Sequence, residues 1–299
     1  MRNISLRKTF PEKGGKLLCL SHSCLDAPLV AVSWSVLLAQ YAGGSIHWAN
    51  QIALFCATWL IYLGDRLYDV RAGASIQRTS LRHQFAKRFR KVLIWCAGFA
   101  IAAGLATIPF LREIDWILCL VLALGVGLYF FAFRLVKKRR LARALPLKEI
   151  CIAVCFAAGV FVASGMGLRP APWGIIGSLA CLFLANCLLI SYAEKDQDRE
   201  GDPAAFFAQS GTWPIKVLSI VFFACWILVI ACIMGNSDIE TVSKRIIGIP
   251  YGLALGCLIL INAKIDRVHR YAQPLGDASL LSPLLVLIPA FLMKIAGML

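Results

Sequence analysis

Five carboxylates crowd into one short stretch, Glu194, Asp196, Asp198, Glu200 and Asp202, directly after an apolar run that ends near Ile190. A second acidic pair, Asp65 and Asp69, ends another apolar run in the same way, and both stretches read Asp-Arg-x-x-Asp. Together they hold 7 of the 16 carboxylates in the chain, so the acids are concentrated rather than scattered. An acid at the C-terminal end of a helix faces the negative end of its dipole, at a cost of about 0.3–1 kcal/mol. Neighbouring carboxylates also resist ionising together. A divalent cation is the simplest compensation. On a continued helix Asp65 and Asp69 stand at i and i+4, with Cβ atoms about 5–6 Å apart. The same spacing relates Asp198 and Asp202, although Gly201 marks a helix end there. Hard oxygen donors in this pattern suit Mg²⁺, which binds through carboxylates together with substrate phosphates.

The chemistry served by such a site is departure of a phosphate or diphosphate group. The metal acts as a Lewis acid on the leaving oxygen. Fixed cations add preorganised stabilisation. The candidates are Arg66, Arg82, Lys87, Lys148 and Arg199. The competing reading is that the acids pair with their own arginines and solvate a loop. A single Asp-x-x-x-Asp favours that reading. Two of them, at equivalent run ends, favour metal and phosphate.

The elements that must position these residues are membrane helices. The chain of 299 residues is 60% hydrophobic and 16% charged, with mean hydropathy +0.75, against about 25% charged residues in soluble domains. Nine apolar runs are expected as spans, at 27–44, 48–64, 92–110, 115–135, 149–166, 173–191, 213–234, 246–263 and 279–297. Each matches the roughly 17–25 residues that cross a bilayer as a helix. Lipid-exposed open sheet is excluded, because every backbone polar group must be satisfied internally. The expected organisation is a basic segment, 1–26, lying on the cytoplasmic surface, followed by one nine-helix unit, 27–299. A charged start without a small-residue cleavage site gives no signal peptide.

Of the 31 Lys and Arg residues, 26 fall at the N-terminus or around the loops after the second, fourth, sixth and eighth runs. The positive-inside rule therefore predicts an inner (cytoplasmic) membrane protein with its N-terminus and both acidic stretches inside and its C-terminus outside. The same distribution accounts for the net charge of +15 without nucleic acid. The two acidic stretches end runs four apart, so they share one face. This parity admits two copies of a four-helix unit, a parallel repeat. The 12 cysteines lack a C-x-x-C pair and sit mostly in apolar runs, as small packing residues do.

With these residues placed, the chain resembles the UbiA superfamily of intramembrane prenyltransferases. Asp198-Arg-Glu-Gly-Asp202, with Lys195 before it, is similar to the second Asp-rich motif of that family. The segment from Ala144 through Lys148 to Gly159 resembles the opening of its fifth helix, and 81–85 lies where the family carries a basic stretch. The first motif departs: Leu60 and Ile61 stand where the family has Asn and its first Asp. The resemblance implies an all-α bundle of nine transmembrane helices around a central cavity. It implies transfer of a prenyl group from a polyprenyl diphosphate to a lipophilic acceptor, within membrane lipid. Mg²⁺ would be held by Asp65, Asp69, Asp198 and Asp202, with Lys148, Arg82 and Arg66 neutralising the diphosphate and Lys87, Lys195 and Arg199 beside it. Tyr62, one turn before Asp65, is the first candidate for cation–π contact with the allylic group, ahead of Tyr68, Tyr129, Phe133 and Tyr192. Acceptors served by relatives include quinone-precursor aromatics, chlorin or haem rings, and lipid or sugar-phosphate hydroxyls. No general base is indicated.

Three rivals remain on sequence grounds. A transporter would place its charges near the midplane on broken helices. A CDP-alcohol phosphotransferase would carry D-G-x-x-A-R ahead of its acids on one segment, which neither stretch does. A relative that binds prenyl diphosphate without turnover is consistent with the incomplete first motif.

Overall fold

The structure is a computed structural model that describes residues 22–41, 46–71, 81–136, 146–166, 173–195 and 241–295, with 207, 220–222, 224 and 227. The described residues form helices joined by short turns, with no strand among them. In chain order these are α1 (Asp26–Tyr41), α2 (Trp48–Arg71), α3 (Leu81–Arg88), α4 (Arg90–Thr107), α5 (Glu113–Val136), α6 (Leu147–Ala163), α7 (Trp173–Ala193), α8 (Thr241–Ala263), α9 (Ile265–Val268), α10 (Ala272–Ser279) and α11 (Leu284–Ile295).

Helix α1 is the axis of the bundle. Val30, Ala31, Trp34, Leu37 and Leu38 are all nearly inaccessible, and α1 packs against α2, α6, α8 and α10. Its sequence is apolar all round, the signature of a helix surrounded by others. Trp34 meets Phe183 and Tyr251 edge-on, both at 6.3 Å. Its indole N–H finds a partner, as buried tryptophans do, in the Leu280 carbonyl at 2.8 Å. The Tyr251 hydroxyl donates to the Ser178 carbonyl at 2.8 Å. The polar tips of Trp34 and Tyr251 are therefore each satisfied within an apolar core.

The outer helices are inverted relative to a soluble protein. Trp95 and Phe99 on α4 are 80% and 70% exposed, and Leu124 and Leu128 on α5 are 66% and 67% exposed. A contiguous apolar surface of this kind is a binding face, and for a stripe along a helix lipid is the natural solvent. Among the described residues, two helical segments, Arg90–Phe110 and Gly174–Ala193, are long and apolar enough to cross a membrane. The bent pair Ala272–Ser279 and Leu284–Met293 makes a third if counted as one span.

The run 279–297 starts at the last residue of α10 and covers α11, and the 42° bend between these two helices falls at its N-terminal edge. Pro283 sits at the break, where its ring disfavours helical geometry in the preceding residue. The Ser282 hydroxyl turns instead to the Pro250 carbonyl at 2.7 Å. The second apolar run ends at residue 64, and α2 continues beyond it to Arg71, the continued helix that sets Asp65 and Asp69 at i and i+4. Most of the run 213–234 lies outside the described residues.

Candidate functional site

The ends of several helices converge on one cavity. It is lined by Ala27 and Val30 from the start of α1, Tyr62 from the second half of α2, and Ile152, Ala153 and Phe156 from α6. Phe183, Asn186 and Cys187 from the end of α7 complete the wall, and Asp277 and Leu280 close it. Helices α1 and α6 enter at this end while α2 and α7 leave from it, so the antiparallel packing places their functional termini together. The cavity offers about 20 Å³ to a water-sized sphere, room for about one water molecule.

Asp65 lies one turn beyond Tyr62 on α2 and is exposed, and Arg66 beside it is half-buried. Asp69 continues the same helix, its side chain outside the described residues. Lys148, the second residue of α6, is exposed at the same end and lies within electrostatic reach of Cys187 in the cavity wall. Lys195 follows α7, and its ammonium stacks over the Tyr192 ring at 4.2 Å, a cation–π contact. Tyr192 meets Phe207 edge-on at 5.6 Å, so it acts as a packing aromatic. Lys87 is exposed on α3, and Arg82 lies on that helix with its side chain outside the described residues. Tyr68 is 55% exposed. The side chains of Tyr129 and Phe133 lie outside the described residues, as do Asp198, Arg199 and Asp202 altogether. Among the described residues no group of three or more His, Cys, Asp and Glu could hold a metal ion. The expected four-carboxylate set reaches beyond those residues.

The structure adds polar residues that motif reading passed over. Asn186 is 5% exposed, and its amide N–H donates to Asp277 Oδ1 at 3.0 Å. Its own oxygen is buried with no hydrogen-bond partner among the described residues. Glu149 is buried and accepts from the Ser191 hydroxyl at 2.9 Å, tying α6 to α7. Asp26 is buried at the head of α1 and accepts from the Ala27 amide at 3.0 Å. Asp277 and Asp26 are both within electrostatic reach of the Tyr62 hydroxyl. The signal for Asn186 was present: an amide inside an apolar run is expensive in lipid and marks a functional or packing contact.

A second polar cluster stands at the opposite ends of α2 and α6. Arg112 grips the fully buried Asp115 with two nitrogens, at 2.7 and 3.1 Å, and reaches the Gly165 carbonyl at 2.7 Å. Asn50 donates to Asp115 at 3.0 Å, and Gln51 donates to Ser35 and to the Ala163 carbonyl. These bonds tie α1, α2, α5 and α6 together, with the Asn50 and Gln51 amide oxygens buried and unpartnered among the described residues, so this end is a brace.

No family model matches the chain, and neither a curated protein nor a solved structure matches it.

Proposed function

We propose that the chain is an intramembrane, Mg²⁺-dependent prenyltransferase of the UbiA type, with nine spans, moving a prenyl group from an allylic polyprenyl diphosphate to a lipophilic acceptor. One observation carries the reading: the end of α2, the start of α6 and the end of α7 meet around one cavity at one end of the bundle. Asp65 and Lys148 stand at that end, and Asp198 and Asp202 follow α7 in the sequence.

Mg²⁺ held by Asp65, Asp69, Asp198 and Asp202 would screen the charge on the departing diphosphate. The chain's own cations, Lys148, Arg82 and Arg66, neutralise that group and hold it at the mouth. Tyr62, which lines the cavity, would offer its ring to the allylic carbon. Ala153, Phe156, Phe183 and Leu280 exclude water, which would otherwise capture the cation. The site opens to the cytoplasm, in the orientation set by the basic loops.

Labelled allylic diphosphate supplied to proteoliposomes tests this. Mg²⁺-dependent diphosphate release is expected, and Asp65→Ala or Asp198→Ala should each lower it by about 100-fold or more. Undiminished release in either variant removes that residue from the metal site. A second reading is favoured by Leu60 and Ile61 standing where the family has Asn and Asp: a protein that holds prenyl diphosphate without turnover. Saturable Mg²⁺-dependent binding with no release over hours would select it.

A further inference from the structure

Cations crowd the junction of α3 and α4, on the outside of the bundle. Lys87 and Arg88 end α3, Arg90 and Lys91 open α4, and all four side chains are exposed. No Asp or Glu occurs between residues 70 and 112. The Arg88 guanidinium lies over the Phe89 ring at 5.6 Å. Lys87, Arg90 and Lys91 take part in no ion pair among the described residues. Arg112, just past the other end of α4, is by contrast committed to Asp115 at 2.7 Å.

The residues that follow these cations narrow down their partner. On a helix, residues four apart share one face, and one such row on α4 reads Lys91, Trp95, Phe99. Both aromatics are strongly exposed, and Arg90 and the exposed Ile94 run alongside. The opposite face of α4 is buried through Leu93 and Ala100. Ala86 and Leu93 pack with Leu63 of α2, so the row is held outward. No residue of α3 or α4 lines the cavity. Helical rise sets Trp95 about 6 Å deeper than Lys91 along α4, and Phe99 about 12 Å deeper. A water-soluble anion or an acidic peptide would use the cations and leave the aromatic row uncovered. A zwitterionic lipid would cover the row but bring its own ammonium to the cations. An anionic phospholipid satisfies both, with its phosphate on the cations and its chains along the rings.

We propose that the outer face of the α3–α4 junction is a binding site for an anionic phospholipid, with Arg90 and Lys91 on the headgroup phosphate and Trp95 and Phe99 along the upper acyl chain. The site requires only that α4 crosses the bilayer, so it stands independently of the prenyl-transfer reading. Tyr62 and Leu67 of α2 pack at the edge of the cluster that Leu63, Ala86 and Leu93 form. A lipid seated on the junction therefore anchors, through that cluster, the half of α2 that carries Asp65.

Trp95 serves as the reporter. The full chain is placed in phosphatidylcholine nanodiscs in which part of the lipid carries bromine on its acyl chains, either as phosphatidylglycerol or as phosphatidylcholine, and tryptophan quenching is read. The Trp95 contribution is the difference from Trp95→Phe. The difference from Trp116→Phe gives a control at the far end, where Trp116 is exposed one turn after Arg112. Phosphatidylglycerol is expected to be preferred at Trp95 by at least about tenfold, and at Trp116 by about twofold or less. Arg90→Gln and Lys91→Gln should each lower the Trp95 preference by about threefold, and Arg90→Glu with Lys91→Glu should reverse it. Soluble glycerophosphoglycerol, matched in concentration to the lipid, should leave the preference unchanged. Equal quenching at Trp95 by the two lipids in the unaltered chain overturns the proposal, and that measurement needs no variant. Equal preference at Trp95 and Trp116 would reflect the general pull of a chain of net charge +15 and overturns the site. Loss of the preference to glycerophosphoglycerol overturns the lipid as occupant. An undiminished preference in the folded double Glu variant overturns the roles of Arg90 and Lys91.

Discussion

Gly276 leaves no room for a side chain beside Asn186. A Cβ built on Gly276 would collide with the Asn186 amide oxygen. Asn186 cannot turn aside cheaply, because it is buried and committed to Asp277. Gly276→Ala is therefore expected to destabilise the protein by about 1–3 kcal/mol, as overpacking does, and to displace Asp277 from its place. Thermal unfolding in detergent checks the first effect. Lys148→Met separates the mouth from the interior. It should weaken diphosphate binding by about tenfold and leave acceptor binding unchanged, because the Lys148 side chain is exposed rather than in the wall. Equal loss of both affinities would mean a folding defect. At this scale the sequence was informative where residues form motifs. Asp65, Lys148 and Tyr62 stand out from it by type and spacing, whereas Asn186 and Asp277 are 91 residues apart and no periodicity links them.

Among the elements, the turn at Gly165 shows how one end of the bundle is closed. Gly165 has φ +71°, a conformation that glycine adopts without cost, and it terminates α6 so that its carbonyl faces Arg112. Asp115 lies at the centre of that closure, fully buried and bound by Arg112 and Asn50. Removing one partner of a buried ion pair costs about 3–5 kcal/mol, and the 46% exposure of Arg112 brings the expectation to about 2–3 kcal/mol for Asp115→Ala. Diphosphate release per folded molecule should not change, since the brace lies at the far ends of α2 and α6. Apolar runs foretold the helices well because burial and lipid exposure both demand long hydrophobic stretches. They say nothing of the α10–α11 bend, which falls at the N-terminal edge of the last run. A proline in an apolar run is compatible with a kink, a break or a continuous helix, and Pro250 inside α8 shows the last of these.

For the whole molecule, sidedness ties charge to mechanism. The basic residues cluster in alternate loops, and holding those loops on one side fixes the cavity mouth to that side as well. Asp65 and Lys148 lie at that end of α2 and α6, while the Arg112–Asp115 brace lies at the other. The prediction is therefore joint. Cysteines placed singly in 136–143 and beside Asp65, in a background cleared of accessible native thiols, should react with a membrane-impermeant thiol reagent only from the cytoplasmic side. One placed beside Arg112 should react only from the opposite side. Labelling of all three positions from one side would contradict the antiparallel arrangement around the cavity. Labelling of 136–143 from outside, with Arg112 inside, would keep the bundle but invert it, and would turn the proposed diphosphate mouth to the outer side. The agreement of loop charge, helix direction and cavity mouth is what makes a single labelling pattern decisive.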